Sequence, residues 1–127
     1  MIMKIEHIGV FVFDLVGMRD FYASYFGFIP NDSFYENARG LKTCFMRAPD
    51  GGARLELMTK PNLTPNEGTA GMAHIALSVG SKETVDSLTE WLKNDGYQVT
   101  SGPRTTGDGY YESCVLDPEG NTVEITV

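Results

Sequence analysis

His7-Ile8-Gly9-Val10-Phe11-Val12 returns as His74-Ile75-Ala76-Leu77-Ser78-Val79, at an offset of 67 residues. Outward from that pair, Leu55-Glu56-Leu57 returns as Val123-Glu124-Ile125 at an offset of 68, and Gly27-Phe28 as Gly96-Tyr97 at 69. Three landmarks at nearly one offset mark an internal repeat, and a repeat decides the architecture before any element is assigned. The chain therefore reads as one domain, 1–127, made of two modules over about 1–58 and 72–127. The polar stretch 59–71, with Pro61 and Pro65, joins them.

Each module has the same order of elements. Residues 4–13, rich in Ile, Val and Phe, predict a strand. Met18, Phe21, Tyr22, Tyr25 and Phe26 then recur at helical spacing, and Gly27 supplies the stop. Three strands are expected at 28–35, 41–48 and 54–58, the last after the turn Asp50-Gly51-Gly52. In the second module a strand at 72–79 precedes Ser81, an N-cap for a helix carrying Val85, Leu88, Trp91 and Leu92. Gly96 ends that helix, and strands follow near 97–101, 110–116 and 122–127. The last two are joined by Asp117-Pro118-Glu119-Gly120-Asn121, a turn sequence. Each module is thus βαβββ, an α+β pattern.

Composition removes several function classes. Apolar content is 42% and charged content 21%, as in a globular domain, and no apolar run reaches the length of a membrane span. The net charge of −7 argues against nucleic acid, whose phosphates demand clustered Lys and Arg. The opening residues lack a basic leader and a small-residue cleavage site, so no signal peptide is expected. Cys44 and Cys114 follow no metal-clip spacing and read as buried thiols, which fits a reducing cytoplasm.

Side chains alternate faces along a strand, so apolar neighbours report where a polar residue points. Glu56 lies between Leu55 and Leu57, Glu124 between Val123 and Ile125, His74 between Ala73 and Ile75, and His7 beside Ile8. If those neighbours pack under the helices, the two His and two Glu face one concavity. Two imidazoles and two carboxylates form an N2O2 set suited to Ni, Zn, Co, Mn or Fe. Two carboxylates turned to one space also need a counter-charge, which one dication supplies. The competing arrangement pairs the glutamates with Arg54, Arg47 or Lys42 and leaves the histidines in the core. Against it, the protein has only two histidines and both occupy equivalent repeat positions.

Arg54 shares a face with Glu56, either neutralising it or clamping a substrate carboxylate or phosphate. Ser101 to Gly109 is polar and glycine-rich, a connection or a lid, with Arg104 a candidate substrate anchor. One of Tyr110 and Tyr111 should face the site and the other the helices. Phe11 and Phe13 share a face with His7 and are candidates to line a pocket.

These segments, with Leu116-Asp117-Pro118-Glu119-Gly120-Asn121-Thr122-Val123-Glu124-Ile125 as the most specific, resemble the vicinal-oxygen-chelate superfamily of glyoxalases, bleomycin-resistance proteins and extradiol dioxygenases. The resemblance covers essentially the whole chain. It implies paired modules that wrap a U-shaped mixed β-barrel, helices outside, around one divalent metal held by His7, Glu56, His74 and Glu124. It also implies a lyase or isomerase of the glyoxalase type, in which Glu124 or Glu56 moves a proton on a small substrate that chelates the metal through neighbouring oxygens. Where bacterial glyoxalases carry an Arg for glutathione, this chain has Gly9-Val10-Phe11. Relatives that bind a drug or metabolite without turnover, or that act as acyl-CoA epimerases or dioxygenases, define the alternatives. One module supplies only half of a four-ligand site, which two modules complete either within one chain or across two, and a homodimer is expected in either case because self-similar architectures assemble about two-fold axes.

Overall fold

The computed structural model describes residues 5–66, 72–107 and 109–127. Lys4 of the first expected strand, residues 67–71 of the expected connection and Asp108 of the glycine-rich segment lie outside them. Among the described residues the chain forms two helices and nine strands, in two compact units, Met1–Glu67 and Gly68–Val127. No helix among them is long and apolar enough to cross a membrane.

The first unit runs β1 (His7–Phe11), α1 (Leu15–Phe26), β2 (Ile29–Pro30), β3 (Tyr35–Glu36), β4 (Lys42–Arg47) and β5 (Arg54–Thr59). Asp14 caps α1 by accepting the Gly17 N–H at 3.0 Å. Gly27 closes the helix in the left-handed region at φ 71°, where a Cβ would be strained. Leu15, Met18, Phe21 and Tyr22 bury one face of α1 on β4 and β5, against Cys44, Met46, Leu55 and Leu57. The sheet order is β1-β5-β4-β2, with β3 also on β4, and β1 pairs parallel with β5 while the other pairs are antiparallel.

One expected strand is two. Residues 28–35 break after Pro30 and resume at Tyr35, because proline has no N–H for a ladder and Asn31-Asp32-Ser33 favour a turn. The break bends the chain away from β4 and leaves room beside it.

The second unit runs β6 (His74–Ser78), α2 (Lys82–Asn94), β7 (Val99–Thr105), β8 (Tyr111–Leu116) and β9 (Thr122–Thr126), in the order β6-β9-β8-β7. Ser81 caps α2 through the Thr84 N–H at 3.1 Å. Val85, Leu88 and Leu92 pack on Val115, Val123 and Ile125. Thr89 and Ser113, both buried, share a 2.7 Å hydrogen bond between α2 and β8, so neither hydroxyl is left unpaired. In the β8–β9 turn the buried Asp117 accepts from the backbone of Glu119 and Asn121, at 2.9 Å each, and from the Asn121 side chain. That turn sets the register Leu116↔Thr122, Cys114↔Glu124. Each unit is a mixed sheet with one helix on one face, the α+β pattern read from the sequence.

The expected loop 101–109 is a correction. Ser101 to Thr105 belong to β7 and pair with β8 through irregular register around Gly102-Pro103, so the open part begins only at Thr106.

Candidate metal centre

In the first unit, β1 and β5 lie side by side with Gly9 opposite Glu56 and His7 opposite Arg54. Leu55 and Leu57 point under α1, so Arg54, Glu56 and Met58 turn to the other face with His7 and Phe11. His7 Nε2 stands 3.7 Å from Glu56 Oε1. A Cβ at Gly9 would come within 2.8 Å of Met58 Cε and 3.9 Å of Glu56 Oε1, so the missing side chain keeps the space over Glu56 open. The imidazole is fixed from two sides. Its Nδ1 meets Glu6 Oε2 at 2.5 Å, and its ring stands edge-on to Phe45 at 5.4 Å. With Nδ1–H donated to a carboxylate, the Nε2 lone pair is the one turned to Glu56.

The second unit repeats the pair. His74 on β6 and Glu124 on β9 are carried by parallel neighbours, Ala76 opposite Glu124, and His74 Nε2 lies 2.5 Å from Glu124 Oε2. Across β8, Cys114 stands opposite Glu124 on the same face, and Glu112, Cys114 and Glu124 offer ligand atoms within 4.8 Å of one another. No shared surroundings exist at Nδ1, because Ala73 occupies the place of Glu6.

Donor chemistry and spacing both fit a divalent ion. Two ligands bound to one ion at about 2.0–2.2 Å sit about 3 Å apart. The His–Glu separations of 3.7 and 2.5 Å lie on either side of that value. All four side chains are partly exposed, the glutamates 20% and 18%, so each is reachable without unfolding.

Several expected residues take other places. Arg54 does not neutralise Glu56: its guanidinium goes to Glu6 Oε1 at 2.5 Å and lies over Phe45, 4.2 Å from the centroid. The hydrogen bond from His7 and then Arg54 hold the Glu6 carboxyl below the usual range. Tyr111 leaves the candidate site, because it lies on the α2 side of β8, where its hydroxyl donates to Asp86 and Lys82 caps its ring. The Asp86 hydrogen bond first, then burial and the negative charges of Asp86 and Glu83, push the Tyr111 hydroxyl above its ordinary pKa of 10.0. Tyr110 is exposed just before β8, and its N–H donates to Thr106. Arg104 is exposed in β7, its Nε 3.4 Å from Ser101 Oγ. Phe11 keeps the His7 face, with Lys60 over its ring, and Phe13 is exposed beyond the end of β1.

The cysteines separate. Cys44 is fully buried under α1, and burial pushes its thiol up. Cys114 is only half-buried and looks at Glu124, so the core reading of it is corrected. Burial first, then the carboxylates of Glu124 and Glu112, push its thiol up. Counting back from the Asp117–Asn121 turn gives this register, which is the signal that would have placed Cys114 and Glu112 beside Glu124.

A cleft of about 680 Å³ opens on the His7 face of the first unit, lined by Phe34, Tyr35, Leu41, Phe45, Met58 and, at one end, Glu56. A second, more polar cleft of about 500 Å³ shares Asn31, Ser33 and Phe45 with it and is walled by Arg47, Arg54 and Asp32. The break between β2 and β3 makes this room. Neither cleft was visible in the sequence, because the strand expected at 28–35 would have filled it.

Comparison with known proteins places the fold. The chain is 27% identical to a possible glyoxalase from Bacillus cereus, covering 99% of this chain and 100% of that one, with a TM-score of 0.71. A glyoxylase/bleomycin resistance protein/dioxygenase domain from Frankia sp. EAN1pec has a TM-score of 0.85 at 17% identity, over 100% and 98% of the chains. Lactoylglutathione lyase from Agrobacterium tumefaciens has a TM-score of 0.67 at 22% identity, over 97% and 92%. Those two identities speak for the fold alone. No curated protein matches the chain. The family model of the Glyoxalase/Bleomycin resistance protein/Dioxygenase superfamily matches residues 4–125, both His–Glu pairs included, and the chain belongs to that superfamily.

Proposed function

We propose that the protein is a divalent-metal-dependent lyase or isomerase of the glyoxalase type, whose two units act as one domain with His7, Glu56, His74 and Glu124 as ligands. The observation that carries this reading is the matched pair of Nε2–carboxylate contacts at 3.7 and 2.5 Å, one per unit, on equivalent strands. When bound, the dication supplies charge that stabilises an oxyanion developing on the substrate. The chain's own groups divide the remaining work. Glu56 lines the apolar cleft beside Phe45 and Met58, so it is the carboxylate that takes a proton from one substrate carbon and returns it to the next. Glu6 holds His7 in one tautomer. Glu124, packed against Cys114 and Glu112, serves as ligand.

The test is a pair of substitutions. Glu56→Gln should cost on the order of 100- to 10,000-fold in rate on a hemithioacetal or related 2-oxo substrate while metal stays bound, because an amide ligates but accepts no proton. Glu124→Gln should cost less rate for the same metal content. Saturable binding of such substrates with no turnover at any metal loading would replace the enzyme with a sequestering protein.

A further inference from the structure

We infer that the substrate carries an anionic group, and that Arg47, a residue with no role so far, is its anchor. The inference deepens the proposed function and rests on it for where the reacting oxygens lie.

β4 presents Thr43, Phe45 and Arg47 to the His7 face, since Cys44 and Met46 are buried under α1. On β5, Glu56 stands opposite Phe45 and Met58 opposite Thr43. A strand rises about 3.3 Å per residue, so Arg54 and Met58 lie about 7 Å to either side of Glu56. The face therefore has three zones in order. Phe34, Tyr35, Leu41 and Met58 form an apolar end, Glu56 the middle, and Arg54 and Arg47 a cationic end, with His7 opposite Arg54 and its Nε2 reaching toward Glu56.

The two arginines differ in what occupies them. Arg54 spends one N–H on Glu6 and its face on Phe45. Arg47 is exposed, and among the described residues it has no acidic partner within 4.0 Å, although Asp32 lines the same wall. A guanidinium carries five N–H donors in a planar fork, so Arg47 is free to take a carboxylate or phosphate in bidentate fashion while Arg54 still has donors to add. In a chain of net charge −7, an arginine left unpaired on a cleft wall serves an anion that arrives from solution. The ligand class that fits is a small molecule with an apolar arm, two neighbouring oxygens in the middle and a carboxylate or phosphate at the far end.

The test reads binding in metal-free protein, so that it does not depend on turnover. 4-Phenylbutyrate and 6-phenylhexanoate are titrated by NMR beside their primary amides, which match them in shape and lack the charge. The wild type should bind at least one acid about tenfold more tightly than its amide, the equivalent of about 1.4 kcal/mol from charge-assisted hydrogen bonds. Arg47→Gln should abolish that preference, Arg47→Lys should keep part of it, and Arg104→Gln should leave it intact. Equal binding of acid and amide, no binding of either, or a preference that follows Arg104 would overturn the inference. Metal uptake by the same proteins, measured separately after incubation with a divalent ion, separates the two readings. Loss of the acid preference with metal binding intact removes the anion subsite only, and an acid preference in wild-type protein that takes up no metal removes the metal reading only.

Discussion

The two units share a scaffold and a His–Glu pair, yet the faces around those pairs have little else in common. In the first unit Glu56 is opposite Phe45, and the neighbours are Phe11, Met58 and a deep cleft. In the second the residue opposite Glu124 is Cys114, with Glu112, Ser78 and Thr126 on the surrounding strands. The helices diverge in the same sense. α1 is rich in aromatics, Phe21, Tyr22, Tyr25 and Phe26 in ring contact with one another and with Phe28 beyond its end, whereas α2 buries one aliphatic stripe and exposes charge. Repetition has preserved the positions a metal would need and released everything next to them. Beside Glu56 lies an apolar cleft, and beside Glu124 a thiol and a second carboxylate.

The largest effect that tests this division is metal loss. His7→Ala and His74→Ala should each remove most of the bound dication from protein purified without chelators, because each leaves three of four ligands. If His7→Ala instead retains stoichiometric metal, the second unit binds it alone through Glu112, Cys114 and Glu124, and the division of labour collapses. Mixing the two variants under subunit exchange sharpens the result. Metal binding that partly returns places the four ligands across two copies of the chain, and no return places them within one.

A smaller effect should distinguish the histidines. His7 is braced by Glu6 and His74 has Ala73 in that place. Removing a carboxylate behind a ligating imidazole typically costs about 10- to 100-fold in metal affinity. Glu6→Gln should fall in that range in a competition assay against a chromogenic chelator. An unchanged affinity would make the Glu6 contact a surface ion pair with Arg54 and nothing more.

The smallest effect concerns Tyr111. Its hydroxyl donates to Asp86, and its pKa is raised above 10.0, so the folded state holds the proton longer than the unfolded chain does. The sign follows from linkage: the stabilisation is complete below pH 10 and is lost as pH rises through the folded value. Absorbance titration should include an ionisation step above pH 10.0 that Tyr111→Phe removes. A titration identical in the two proteins would sink the assignment.

The repeat, the helices and the four candidate ligands were legible because they rest on local periodicity and on identity at a fixed offset. What was hidden depends on contacts the chain makes far from itself. Glu6 sits just before β1, outside the strand alternation, so nothing local announces that it reaches both His7 and Arg54, 48 residues away. Phe45 was an unremarked aromatic until pairing placed it under Arg54 and beside Glu56. The clefts exist because Pro30 interrupts a strand, and a missing hydrogen-bond donor is easy to pass over in an otherwise β-rich run.

The β8–β9 turn carries a burden that its distance from any reacting group conceals. Asp117 gathers the backbone and side chain of Asn121 and the backbone of Glu119 into one fixed loop length. Lengthening that loop by one residue would exchange the faces of β9, sending Glu124 under α2 and Val123 or Ile125 into its place. The segment therefore acts as a ruler: its length, more than the identity of its exposed residues, decides which side chains of β9 face away from α2.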